Sequence, residues 1–194
     1  MAGSFMARCY SGRVPIRQPP LPAPWPETWL LSDERNDDTL HQAMARLPRG
    51  SGLIFRHYQL GPGRRLARFR ELARLARRLG HRIVLSGNAR EARALGAHGV
   101  YGAARPLAVG PALPRLVTAH SLREIAHARR ARADAILLSP VFPTRSHPGA
   151  RSLGPARFRL LARHAGLPVI ALGGMNRHRA RSMRWKNWAA IDGI

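Results

Sequence analysis

Short apolar runs recur along this chain at intervals that fit strands separated by helices. Trp29–Leu31, Leu53–Phe55, Ile83–Leu85, Gly99–Tyr101, Leu116–Thr118, Ala135–Leu138, Pro168–Leu172 and Trp188–Ile191 make eight such runs. The segments between them carry helical spacing. Asp37 to Leu47 repeats through Leu40, Met44 and Leu47, and Pro48 stops it. Leu66 to Leu79 puts Leu66, Phe69, Leu72, Leu75, Ala76 and Leu79 on one face, and Gly80 closes it. Shorter helices are predicted over 89–95, 122–132, 155–164 and 176–184, while 106–114 is too proline-rich for a full helix. Ser121 with Glu124 has the spacing of a capping box at the start of the 122–132 helix.

Repeated strand–helix alternation implies a parallel sheet, and eight units in one domain suggest a closed (β/α)8 barrel. The alternative is a doubly wound open sheet, but no G-x-G-x-x-G follows the first strand. Length tightens the expectation. Residues 1–28, with Pro15, Pro19, Pro20, Pro22, Pro24 and Pro26, read as an extended N-terminal arm, with Met6 an alternative start to Met1. The remaining 29–194 supply 166 residues, about 21 per unit, so some outer helices must be short or missing.

Composition narrows the class of protein. Cys9 is the only cysteine, which leaves no internal disulfide and no cysteine-based zinc site. No run is long and apolar enough for a membrane span, and MAGSFMAR lacks the apolar block of a signal peptide. A cytoplasmic setting is the expectation. The net charge of +23 is carried by arginines spread along the whole chain, with Lys186 the one lysine. That spread, with abundant Ala, Gly and Pro, reads as coding bias rather than a nucleic-acid footprint, although it favours anionic ligands.

Barrel chemistry sits where strands end. Those positions are Asp33, Arg56, Ser86, Tyr101, His120, Ser139, Gly173-Gly174 and Asp192. Glycines after a late strand let backbone N–H groups approach a phosphate, with the next helix N-terminus favouring the anion. Arg56 suits an anionic or planar ligand. A histidine titrates near neutrality and can move protons reversibly, which makes His120 the candidate acid–base group.

Four segments resemble thiamine phosphate synthases, a family that also includes thiazole tautomerases. Ser139-Pro140-Val141-Phe142-Pro143-Thr144 with Ser146 is similar to their Gly-Pro-Val-Phe-x-Thr-x-Ser-Lys segment. Pro168 to Met175 is similar to their Pro-Val-Val-Ala-Ile-Gly-Gly-Ile strand and loop. Gly96-Ala97-His98-Gly99-Val100-Tyr101 resembles Gly-Ala-Asp-Gly-Val-His, and Thr118-Ala119-His120-Ser121 with Glu124 resembles Ser-x-His-Ser-x-x-Glu. The resemblance runs from about Trp29 to Met175, in order and spacing.

It implies a TIM barrel of thiamine biosynthesis that binds thiazole phosphate and joins it to hydroxymethylpyrimidine pyrophosphate. By matching position, Gly173 and Gly174 would hold the thiazole phosphate, and Thr144 and Ser146 would sit at the pyrophosphate side. Arg56 matches the arginine of the family's Arg-x-Lys, and Thr118 and His120 match its Ser-x-His pair. The resemblance also implies Mg²⁺ held by two aspartates after the third and fourth strands. Here Ser86-Gly87 and Ala103-Ala104-Arg105 stand in those places, so no metal ligand is assigned. Tyr58 and His147 replace two family lysines, and Arg56, Arg105 and Arg145 are candidates to neutralise pyrophosphate instead. Asp192 stands near the phosphate position and would repel it unless an arginine pairs with it. Two other outcomes follow from the same residues: a metal-independent thiazole tautomerase using His120, or an inactive protein that retains the phosphate pocket.

Overall fold

The computed structural model of the protein describes residues 25–145, 149 and 151–192. Most of the proline-rich arm, together with Ser146 and His147, therefore lies outside the described residues. Eight strands alternate with helices. They are β1 (Thr28–Leu31), β2 (Gly52–Phe55), β3 (Arg82–Ser86), β4 (Val100–Gly102), β5 (Arg115–Ala119), β6 (Ala135–Leu138), β7 (Val169–Ala171) and β8 (Trp188–Ala190). The helices are α1 (Leu40–Arg46), α2 (Pro62–Leu79), α3 (Ala89–Ala94), α4 (Ala104–Leu107), α5 (Leu122–Arg130), α6 (Gly154–Arg163) and α7 (Arg177–Ser182), with a 3-10 helix at Glu34–Thr39 before α1. All strand pairs are parallel and consecutive, and β1 pairs with β8 through Thr28↔Trp188, Trp29↔Ala189 and Leu30↔Ala190. That last ladder closes the barrel and excludes the open doubly wound sheet.

The economy in length falls on the outer layer. The 106–114 stretch contributes only the tail of the four-residue α4, and α3 and α7 have six residues each. The long exception is α2. It begins four residues before the periodic stretch because Pro62 occupies its first turn, where a missing N–H costs nothing. It ends at Gly80, whose φ of 71° lies in the left-handed region. Among the described residues, no helix is long and apolar enough to cross a membrane.

Alternation along each strand divides the core in two. Trp29, Leu31, Ile54, Val84, Tyr101, Leu116, Leu137, Ile170 and Ala189 fill the barrel interior. Leu30, Leu53, Phe55, Ile83, Leu85, Val100, Val117 and their neighbours pack outward beneath the helices. The interior accepts Trp29 only because Gly52 lies beside it: a Cβ on Gly52 would stand 2.2 Å from the indole ring. Trp25 stacks on Trp29 with ring centroids 5.6 Å apart, at the end where strands begin. The opposite end, where strands finish, is left open for a ligand.

Candidate functional site

The strand ends converge on a cavity of about 620 Å³ at the mouth of the barrel, within the range of small-molecule sites. Arg56, Thr118, His120, Thr144, Gly173 and Gly174 all line it, although they come from the ends of four different strands, β2, β5, β6 and β7. Arg35, Arg145, Arg151 and Arg179 line it too, and among the described residues Asp192 is its one carboxylate. An anionic ligand is favoured by this imbalance.

The loops after β6 and β7 are knitted together. The Val141 N–H donates to the Leu172 carbonyl at 2.9 Å, and the Phe142 N–H to that of Gly173 at 3.0 Å. Both glycines are required by this close approach. Gly173 has φ 92°, and a Cβ there would meet the Pro140 Cα at 2.6 Å. Gly174 has φ 60°, and its Cβ would meet the Pro143 carbonyl oxygen at 2.5 Å. The Arg179 guanidinium donates to the Gly174 carbonyl and lies over the Phe142 ring, 4.6 Å from its centroid. The helix after the glycines is shorter than the sequence predicts. At six residues α7 has little dipole to offer, and its Arg179 N–H is already capped by the Asn176 side chain at 2.8 Å. The positive charge at this loop is that of Arg179. Asp192 is paired with Arg145 at 3.0 Å, which removes the repulsion its carboxylate would exert.

His120 follows β5 and is half exposed. The expected capping box forms only in part: the Ser121 hydroxyl accepts the Glu124 N–H at 3.3 Å. The Glu124 carboxylate turns instead to His120. It accepts the His120 backbone N–H at 2.7 Å and faces Nδ1 at 2.7 Å. A carboxylate on Nδ1 places the ring hydrogen there and leaves Nε2 as the basic nitrogen. The Thr118 hydroxyl reaches the Gly102 carbonyl at 3.4 Å, between β4 and β5.

The other side of the mouth is built around Arg56. Its backbone N–H donates to the Ser32 hydroxyl at 2.8 Å and its Nε to the Ser32 carbonyl at 3.1 Å, while its guanidinium pairs with Asp33. Burial works against the charged form of Asp33. Hydrogen bonds from Arg35 and the charge of Arg56 outweigh it and hold the carboxyl below its usual range. Ser32 is itself held by buried His57, whose Nδ1 lies 2.8 Å from the hydroxyl and whose Nε2 lies 2.8 Å from Asp37. Arg68 anchors Asp37 from α2. Arg56 thus projects from a fixed support. Tyr101 lies against it; burial pushes the Tyr101 phenol up to about 12, with Arg56 opposing, so it stays a neutral donor.

The places of the two family aspartates hold no carboxylate. The Ser86 hydroxyl is engaged by the Tyr58 hydroxyl at 2.5 Å. Arg65 takes the adjacent carbonyls, donating to Arg56 at 3.1 Å and to Ser86 at 2.5 Å. Gly87 has the Glu91 carboxylate beside it, 2.9 Å from where a Cβ would stand, but Glu91 pairs with Arg65 and does not line the cavity. Among the described residues no cluster of three histidines, cysteines or acids could hold a metal. Mg²⁺ demands oxygen ligands that include one or two carboxylates, and the residues at this rim do not fit it. Arg105 lies exposed in the first turn of α4, outside the cavity, so it does not join Arg56 and Arg145 as expected.

Sequence reasoning passed over Tyr101, Glu124, Arg151 and Arg179 as site residues. Tyr101 was marked by its strand-end position and Glu124 by its spacing from His120. Arg151 and Arg179 carried no signal, because arginines are everywhere in this chain.

Comparison with known proteins gives a consistent answer. Residues 29–194 match the family model described as thiamine monophosphate synthase. The chain is 30% identical over 131 residues to the thiamine-phosphate synthase of Chloroflexus aurantiacus, covering 64% of this chain and 59% of that protein. It is 31% identical over 86 residues to the thiamine-phosphate synthase of Pyrococcus furiosus, covering 44% and 40%. These matches span 40–59% of the relatives' own lengths. The solved structure of thiamine phosphate pyrophosphorylase from Pyrococcus furiosus superposes with a TM-score of 0.69 at 23% identity, covering 84% of this chain and 83% of that one, a likeness of fold.

Proposed function

This chain belongs to the thiamine monophosphate synthase family, and from that premise we propose that it binds thiazole phosphate at the barrel mouth and joins it to hydroxymethylpyrimidine pyrophosphate. The observation that carries the reading is the meeting of the Gly173-Gly174 loop with Thr144, Thr118 and His120 around one arginine-rich cavity. In this reading the glycine loop and Arg179 hold the thiazole phosphate. Thr144 faces the pyrophosphate end, where the resemblance also assigns Ser146, and Arg56, backed by Ser32 and Asp33, lies across the cavity. The ring nitrogen of the thiazole supplies the electron pair for the new N–C bond. The C–O bond to pyrophosphate breaks, and its electrons leave on the pyrophosphate oxygen. The cavity's work is to align the two reactants and to stabilise that leaving charge.

The His120–Glu124 pair favours a second reading on the same pocket. With Nδ1 held by Glu124, Nε2 is placed to move a proton on a thiazole precursor, a step that needs a positioned base and no metal. One experiment separates the two: purified protein is given thiazole phosphate with and without the pyrimidine pyrophosphate. Thiamine phosphate is followed by chromatography and tautomer exchange by NMR. Thiamine phosphate formation supports the synthase reading. Tautomer exchange without it moves the assignment to the isomerase, and bound thiazole phosphate with neither product leaves a binding protein.

A further inference from the structure

The rim between β2 and β4 is where the family's metal would sit, and here three of the oxygens that could serve a cation are already engaged. The Ser86 hydroxyl is taken by Tyr58, and the carbonyls of Arg56 and Ser86 by Arg65. The Arg65 guanidinium also stacks on Phe55, 5.3 Å from the ring centroid, and pairs with Glu91. A fixed positive charge thus stands beside the place a divalent cation would occupy. The nearest carboxylate is spent on it. Coulomb repulsion and the lack of acidic ligands act in the same direction.

Positive charge within the cavity is supplied by side chains. Arg56 lines it from the loop after β2, and Arg145 and Arg151 from the loop after β6. Arg56 is mostly buried and fixed by Ser32 and Asp33, so it is oriented before any ligand arrives. Arg145 is largely exposed, and its pairing with Asp192 keeps the cavity's carboxylate from opposing an anion. Guanidinium forks bind phosphate oxygens bidentately and need no metal to do so.

From this arrangement we infer that the protein receives the pyrophosphate group of its ligand directly on arginines, without a divalent cation. The inference rests on the proposed synthase reading for the identity of the ligand, but not on turnover. It changes what stabilises the departing group: the charge that develops on pyrophosphate is met by guanidinium groups.

Calorimetric titration of the full-length protein with inorganic pyrophosphate, once in EDTA and once in excess Mg²⁺, tests it. Binding in EDTA that is as tight as, or tighter than, binding in Mg²⁺ is the expected result. Arg145→Gln and Arg151→Gln, both on exposed side chains, should each weaken binding in EDTA by about 3- to 10-fold, the worth of a surface charge-assisted contact. Thermal melts of the two variants should match the wild type. Affinity at least tenfold higher in Mg²⁺ overturns the inference, as does no pyrophosphate binding in EDTA or unchanged binding in both variants. Its failure is distinct from failure of the synthase reading. Thiamine phosphate made only with Mg²⁺ keeps that reading and removes this inference. Metal-independent pyrophosphate binding with no condensation does the reverse.

Discussion

On one side of the cavity, after β5, β6 and β7, the chain keeps Thr118, His120, Thr144 and the glycine pair. On the other, after β2, β3 and β4, it keeps Arg56 and has Tyr58, Ser86-Gly87 and Ala103-Ala104 where the resemblance implies a lysine and two acidic positions; the second lysine position, His147, falls after β6 in the sequence. The two sides hang on the same barrel. What was kept on the first side is largely backbone geometry. Gly173 and Gly174 are locked by contact with Pro140 and Pro143, so any side chain there disturbs two loops at once. What changed on the second side is side-chain chemistry at strand ends, where the barrel needs only a strand to end. Tyr58 fills its part of the rim while remaining mostly exposed, and Arg65 ties β2 to β3 from the first turn of α2.

The sharpest way to break this contrast is at His120. If the kept side carries acid–base chemistry, His120→Ala should lower the turnover of a metal-independent tautomerisation by about 10²–10⁴-fold. Thiazole phosphate affinity, measured by calorimetry, should be nearly unchanged. Equal turnover in wild type and variant would leave the kept side a binding surface only.

Gly174→Val comes next. The new Cβ would press on the Pro143 carbonyl and Phe142 in a left-handed backbone. Losing one charge-assisted contact to phosphate costs about 1.5–3 kcal/mol, or roughly 10- to 100-fold in affinity for thiazole phosphate. An unaltered dissociation constant would move the phosphate away from the glycine loop.

The replaced side is probed by Tyr58→Phe. Loss of the hydroxyl contact with Ser86 should cost about 0.5–1.5 kcal/mol in urea unfolding. Thiazole phosphate affinity should not move. A marked loss of affinity would show that Tyr58 recognises ligand rather than filling the rim.

The smallest effect concerns acid. The Asp33 carboxyl is held below its usual range in the folded protein. Its contribution is therefore fully present above the unfolded value of about 3.9 and is lost as pH falls through the folded-state value. Asp33→Asn should lower the melting temperature at neutral pH and flatten its decline between about pH 5 and 3. Parallel melting curves for the two proteins across that window would remove Asp33 from the support of Arg56.

The strands were legible because each apolar run is short, bounded by polar residues or glycine, and separated by a helix-length gap. All eight appear within a residue or two of their expected bounds. Helix ends were less legible. Pro62 brings α2 forward by its place in the first turn, and α7 stops at Ser182, two residues short. At the site, the glycine pair and His120 stood out by their strand-end positions and by the segments that resemble the family, since either residue type alone is common in turns and on surfaces. Arg179 did not, since one arginine among many has no local signature.

The order of the apolar runs determined the alternating strands and helices and pointed to a closed parallel barrel rather than an open doubly wound sheet. The β1–β8 ladder decided between the two. The residue types at the strand ends likewise determined the absence of the two expected carboxylates. Only the tertiary structure decided which side chains meet at the strand ends, because hydrogen bonds there join residues far apart in sequence. Glu124 turned from the cap to His120, and Arg145 closed on Asp192 across 47 positions of chain. Tyr58 met Ser86 across 28, and Arg65 reached the carbonyls of Arg56 and Ser86. Such pairings depend on which side chains the barrel brings within about 3 Å, a quantity that local pattern does not encode.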